Sequence, residues 1–130
     1  MKLAPRALPE LLAGRRIASV TGTNGKTTTT HFLTAAVRAE TPDGQRSVVT
    51  NADGANLYHG IVSALGQAPN ATIAVLETDE RVVADVVAMG SPEVLVLLNF
   101  SRDQLDRNHE LTFLGRDWRA ALEKAAEHGP

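Results

Sequence analysis

The sequence predicts an α/β fold, a doubly wound and mostly parallel sheet carrying a phosphate-binding loop, and three observations predict it. Short, nearly continuous apolar runs alternate with longer amphipathic ones. Glycine and proline punctuate the joints between them. A glycine-bracketed Thr/Lys segment sits where the first apolar run gives way to a helix. Parallel strands covered on both faces read as unbroken apolar runs, and strands alternating with helices build a right-handed layered sheet.

Residues 16–21, 46–50, 71–77 and 93–99, rich in Val, Ile and Leu, are the expected strands. A helix is expected over 26–40, where Leu33, Ala36 and Val37 share one face, with Pro42 and Gly44 ending it. A second is expected over 79–89, with Val83, Val86 and Val87 at helical spacing before Gly90 and Pro92. A third is expected over 112–127, where Leu114, Trp118, Ala121, Leu122 and Ala125 form a stripe and Trp118 reads as core packing. Ligands of such a sheet collect at the carboxyl ends of its strands.

Composition narrows the function classes. With 13 Lys+Arg against 15 Asp+Glu the net charge is −2, so no global field gathers nucleic acid or anionic membrane, and a polyanion needs a local device. The absence of cysteine excludes disulfides and thiolate metal sites. Pro5, Arg6, Pro9, Glu10, Arg15 and Arg16 interrupt the amino-terminal leucines, and no stretch reaches the roughly 20 apolar residues of a membrane span. One globular domain over 1–130, in the cytoplasm, with no nucleic-acid partner and no membrane span, is the expectation.

The local device is the segment 19–28, Ser-Val-Thr-Gly-Thr-Asn-Gly-Lys-Thr-Thr. Gly22 and Gly25 permit positive φ and close backbone approach, so the amides of Gly22, Thr23, Asn24, Gly25 and Thr28 can line a phosphate. The helix that begins near Lys26 adds its positive end. Lys26 is expected to reach the β and γ phosphates, and the Thr27 hydroxyl to take a position on Mg²⁺. The general phosphate-loop pattern asks for glycine where Val20 stands, so that match is partial.

Glu77, at the carboxyl end of the third apolar run, belongs at the same edge and reads as the acid holding Mg²⁺ or its waters. Glu80 reads as a helix-start acid complementing the dipole, and Asp79 is open between the two roles. The polar cluster after the fourth run, with Asn99, Arg102, Asp103, Gln104, Asp106 and Arg107, reads equally as a functional loop or a solvated one. His31, His59, His109 and His128 show no metal-ligand spacing.

Residues 20–29 resemble the ATP-binding loop of the Mur ligase family, whose members build peptidoglycan precursors and which includes the folylpolyglutamate synthetases. Asn51 with residues 54–57, then 76–80, then Leu98-Asn99 with 102–107, resemble the MurT-like branch, the ligase-like subunits of lipid II isoglutaminyl synthases. The resemblance runs from about residue 14 to about residue 122. It implies a P-loop-type central ATP-binding domain that activates a carboxylate as an acyl phosphate, with ATP and Mg²⁺ as cofactors. It matches Lys26 to the phosphate lysine, Thr27 and Glu77 to the magnesium ligands, and Asn56 to an asparagine near the phosphates.

For this branch it further implies amidation of the D-glutamate of lipid II to D-isoglutamine. The partners implied are a lipid-linked peptidoglycan precursor and a glutamine amidotransferase subunit of GatD type. Gln104, where the amino-acid-adding ligases carry histidine, and Trp118 and Arg119, near the place of their carbamylated lysine, point to the MurT-like branch. The branch's four-cysteine zinc ribbon and C-terminal domain have no counterpart within 1–130, so an incomplete central domain is expected, catalytically incomplete on its own. The alternatives are a nucleotide-binding scaffold or inactive relative, a folylpolyglutamate synthetase-like ligase, and a small-molecule kinase on an unrelated phosphate loop.

Overall fold

The structure, a computed structural model, describes residues 6–99 and 108–127. Apolar runs become strands: β1 (Arg16–Thr21), β2 (Val48–Thr50), β3 (Ile73–Glu77) and β4 (Val94–Leu97). Helices α1 (Ala7–Leu12), α2 (Lys26–Glu40), α3 (Gly44–Ser47), α4 (Tyr58–Gln67), α5 (Val83–Gly90) and α6 (Asn108–Glu127) fill the intervals. Among the described residues the strands form one four-stranded sheet in the order β2-β3-β1-β4, and every pairing is parallel. The expected α/β parallel architecture is therefore the observed one.

Register sets the working edge. β1 pairs with β3 from Arg16↔Ile73 to Val20↔Glu77, and with β4 from Ala18↔Val94 to Thr21↔Leu97. The carboxyl ends of β1, β3 and β4 thus finish side by side, so the segments that follow them share one edge.

Successive side chains of a strand point to opposite faces. On one face Ile17, Val49, Ala74 and Leu76 join Leu8 and Leu12 of α1, Ile61 and Leu65 of α4, and Val82 and Val86 at α5 in a single buried cluster. Arg15 Nη2 donates to the carbonyls of Leu65 and Ala68 and so satisfies the exposed end of α4. The other face is covered by α2. The predicted stripe of Leu33, Ala36 and Val37 is not what this helix buries: its buried residues are Thr30 and Thr34. Leu33, Ala36 and Val37 instead line a solvent-open groove of about 450 Å³ with Ala18, Ile73 and Val75.

Several boundaries moved for local reasons. The second strand begins at Val48 because Gly44–Ser47 form a helical turn after Asp43, whose φ is 53°. The helix expected from 79 begins at Val83, because the Asp79 carboxylate accepts the Arg81 amide and closes a turn first. The third and fourth strands are shorter than the apolar runs, and α6 begins at Asn108 rather than 112. Trp118 is 7% exposed and packs on Val83 and Val87, as core packing required. Among the described residues no helix is long and apolar enough to cross a membrane.

Candidate functional site

The loop joining β1 to α2 bends at Gly22 (φ 137°) and Gly25 (φ 87°), both in the region that disfavours a side chain. Gly22 is also a close-approach position, since a Cβ there would lie 2.9 Å from Leu98 Cβ and 3.0 Å from the Asn99 nitrogen. The end of β4 grips the loop at that point. The Thr23 amide donates to the Asn99 carbonyl (2.7 Å), the Asn24 amide donates to Asn99 Oδ1 (3.0 Å), and Asn99 Nδ2 donates to the Asn24 carbonyl (3.0 Å).

The amides of Thr23 and Asn24 are thus committed to holding the loop's shape. An anion at this bend would meet the groups that open α2. Gly25 caps that helix without a side-chain hydrogen bond, and its first turn has no acid to compete for the positive end. Lys26 Nζ donates to the Gly22 and Thr23 carbonyls and stands 4.0 Å from Glu80 Oε1.

Across the edge, Glu77 is 1% exposed at the end of β3. Its Oε2 accepts the Thr27 hydroxyl at 3.0 Å and its Oε1 accepts Asn56 Nδ2 at 3.0 Å. Its main chain is held by the Asn51 carboxamide, with Oδ1 accepting the Glu77 amide and Nδ2 donating to the Glu77 carbonyl, each at 2.8 Å. Ser19 and Thr78 share a buried hydroxyl contact of 2.8 Å beneath the loop.

Asp79 turns to Arg81, whose Nε lies 2.8 Å from Oδ1. Burial pushes the Asp79 carboxyl up, but the hydrogen bonds and charge of Arg81, helped by Lys26, outweigh it and hold the group below its ordinary value. Glu80 projects to Lys26 with 15% of its side chain exposed, and its carbonyl accepts the Trp118 indole N–H at 3.0 Å.

Of the residues singled out in the sequence, Thr27, Glu77 and Asn56 meet at one edge, Gly22, Thr23, Asn24 and Gly25 form the bend beside them, and Lys26 turns its ammonium back onto the carbonyls of that bend. Thr28 lies exposed in the first turn of α2. Glu80 is a correction: it precedes α5 rather than opening it, and it faces the lysine. Arg102, Asp103, Gln104, Asp106 and Arg107 lie outside the described residues.

Asn51 and Asn99 are the residues that pattern reading left without roles. Each works through side-chain amide contacts to distant main chain, and sequence spacing carries no trace of those.

The pair Thr27 Oγ1 and Glu77 carboxylate offers hard oxygens side by side, the donor chemistry suited to Mg²⁺, which takes a carboxylate or two and completes its shell with water and phosphate oxygens. Among the described residues no group of three or more His, Cys, Asp or Glu could hold a metal unaided. The residues present fit a cation that arrives with a polyphosphate.

Comparison with known families matches residues 20–114 to the Mur ligase middle domain. The chain belongs to the Mur ligase family. It is 36% identical over 100 residues to the lipid II isoglutaminyl synthase (glutamine-hydrolyzing) subunit MurT of Staphylococcus aureus (strain COL), covering 75% of this chain and 22% of that protein. It is 40% identical over 108 residues to the MurT subunit of Streptococcus pneumoniae, covering 80% and 23%. It is 37% identical over 110 residues to a UDP-N-acetylmuramate--L-alanine ligase of Nocardioides sp., covering 82% and 22%. These Mur ligase relatives are much longer than the region they share with it: the matched region spans less than a quarter of each.

Proposed function

We propose that residues 1–130 carry the ATP-binding part of an ATP-dependent ligase of peptidoglycan precursor synthesis. The reaction we assign is amidation of the D-glutamate α-carboxyl of lipid II to D-isoglutamine, with ammonia delivered by a GatD-like glutamine amidotransferase subunit. The MurT relatives support the choice of branch. The observation that carries the nucleotide reading is the contact of the Thr27 hydroxyl with the Glu77 carboxylate at the carboxyl edge of the sheet, at the start of the helix that also carries Lys26. ATP as co-substrate sets the reaction in the cytoplasm.

A carboxylate is a poor electrophile with a poor leaving group, and phosphorylation corrects both faults. When bound, Mg·ATP supplies the phosphoryl group: a carboxylate oxygen bonds to the γ-phosphorus as ADP departs, and ammonia then forms the C–N bond as phosphate leaves and a proton is released. The chain's own contribution is positional and electrostatic. Lys26 and the opening amides of α2 bind the β and γ phosphates, and Lys26 offsets charge on the transferred group. Thr27 and Glu77 hold the cation, and Asn56 fixes the carboxylate that faces it. Gly22, Thr23, Asn24 and Gly25 keep the bend open to an anion, with Asn99 as its anchor.

The test is titration of Mg·ATP into the 130-residue chain by calorimetry. Binding is expected in the wild type, and Lys26→Ala is expected to weaken it at least about tenfold, which is about 1.4 kcal/mol. Equal affinity in the two proteins would end this reading.

A further inference from the structure

We infer that Asn51 is a positioning residue, whose buried carboxamide locks the main chain at Glu77 to the 52–57 loop and so fixes the direction in which Glu77 presents its carboxylate to Thr27. The last β2–β3 pair is Thr50↔Val75. Beyond it the chain turns aside, with the Ala52 amide on Thr50 Oγ1 and Asp53 at φ 106°. The backbone ladder therefore stops two residues short of Glu77.

The side chain of Asn51 continues the ladder in its place. A carboxamide carries the same donor and acceptor as a peptide group, and here both engage the main chain of Glu77 at 2.8 Å. Its second N–H donates to the Ala55 carbonyl at 2.8 Å, and Asn51 is 3% exposed.

Two further contacts stitch the same loop to the end of β3. The Asp79 amide donates to the Asn56 carbonyl at 2.9 Å, and Asn56 Nδ2 reaches Glu77 Oε1. Gly60 of α4 presses from behind, since a Cβ there would lie 2.2 Å from the Ala55 oxygen. No other side chain type reproduces the arrangement at this position. Aspartate lacks the N–H donors, glutamine displaces them by a methylene, and leucine leaves the Glu77 amide, the Glu77 carbonyl and the Ala55 carbonyl without this partner.

The functional consequence rests on the reading of Glu77 as a cation-holding carboxylate. The experiment titrates MgCl₂ into the 130-residue chain with a non-hydrolysable β,γ-imido analogue of ATP, alongside amide hydrogen exchange. Asn51→Leu is expected to raise the Mg²⁺ concentration for half-maximal nucleotide binding at least about tenfold, to leave Mg²⁺-free binding of the analogue unchanged, and to speed exchange at Glu77. A residue that merely stabilised the fold would reduce the folded fraction without moving that midpoint.

A folded Asn51→Leu protein with the wild-type midpoint overturns the inference. Should that variant not fold, Gly60→Ala, which displaces the Ala55 carbonyl without touching Asn51, is expected to shift the midpoint the same way, and an unmoved midpoint overturns the inference. Failure of the wild type to bind the analogue would instead remove the nucleotide reading. Hydrogen exchange then decides the clamp alone: faster exchange at Glu77 in a folded variant upholds it, and unchanged exchange overturns it.

Discussion

On the face covered by α1, α4 and α5, Leu8, Leu12, Ile61, Leu65 and Val86 are at most 1% exposed and close over Ile17, Ala74 and Leu76. On the face covered by α2, the helix buries Thr30 and Thr34 and leaves a groove of about 450 Å³, open to solvent, beside Leu33, Ala36, Val37 and the sheet. Neither threonine hydroxyl has a hydrogen-bond partner among the described residues, a condition that costs about 1–3 kcal/mol per buried group. The helix that carries Lys26 and Thr27 is therefore packed less well than α1, α4 and α5, which carry no candidate site residue. Stability is concentrated behind the sheet, and local opening costs less on the face covered by α2, the helix that starts at the candidate site.

The sharpest way to break this contrast is Leu65→Ala. Leu65 is fully buried in the sealed cluster, so truncation should cost about 2–5 kcal/mol in urea unfolding. A loss below about 1 kcal/mol would mean that this face is not the store of stability. On the other face Thr34→Val removes an unpartnered hydroxyl at nearly constant volume. It is expected to be neutral or to add up to about 1 kcal/mol. A loss of that size would reveal a partner for the hydroxyl and weaken the comparison.

The smallest effect is expected at Asp79, on the working edge. Its carboxyl is depressed in the folded protein, so it contributes stability above the unfolded value of about 3.9, and that contribution disappears as pH falls through the lower folded value. Arg81 is largely exposed, which limits the pairing to about 1 kcal/mol or less. The difference in unfolding free energy between wild type and Asp79→Asn should therefore shrink from pH 7 to pH 3. A difference that does not change with pH would remove Arg81 as its cause.

The strands were legible because each is a nearly unbroken apolar run, and α2 because proline and glycine close it. Helix α1 was hidden by Pro9, and α4 by Gly60 and Gly66, which interrupt the stripe that periodicity needs. Gly60 is there for the contact with Ala55, a constraint set by packing alone.

At the site, Lys26, Thr27 and Glu77 could be read from their places after strands, since parallel topology carries strand ends to a common edge. Asn56 was reached through the family resemblance. Asn51, Asn99 and the pairing of Glu80 with Lys26 could not be read, because each depends on which distant backbone or side chain the fold brings alongside.

The chain has one tryptophan, and its indole N–H rests on the carbonyl of the acid that faces Lys26. Nature has thus wired an optical reporter to the working edge. Its ultraviolet emission should follow events at the bend between β1 and α2 without any attached dye, so occupancy of the candidate site can be read from unlabelled protein in a cuvette.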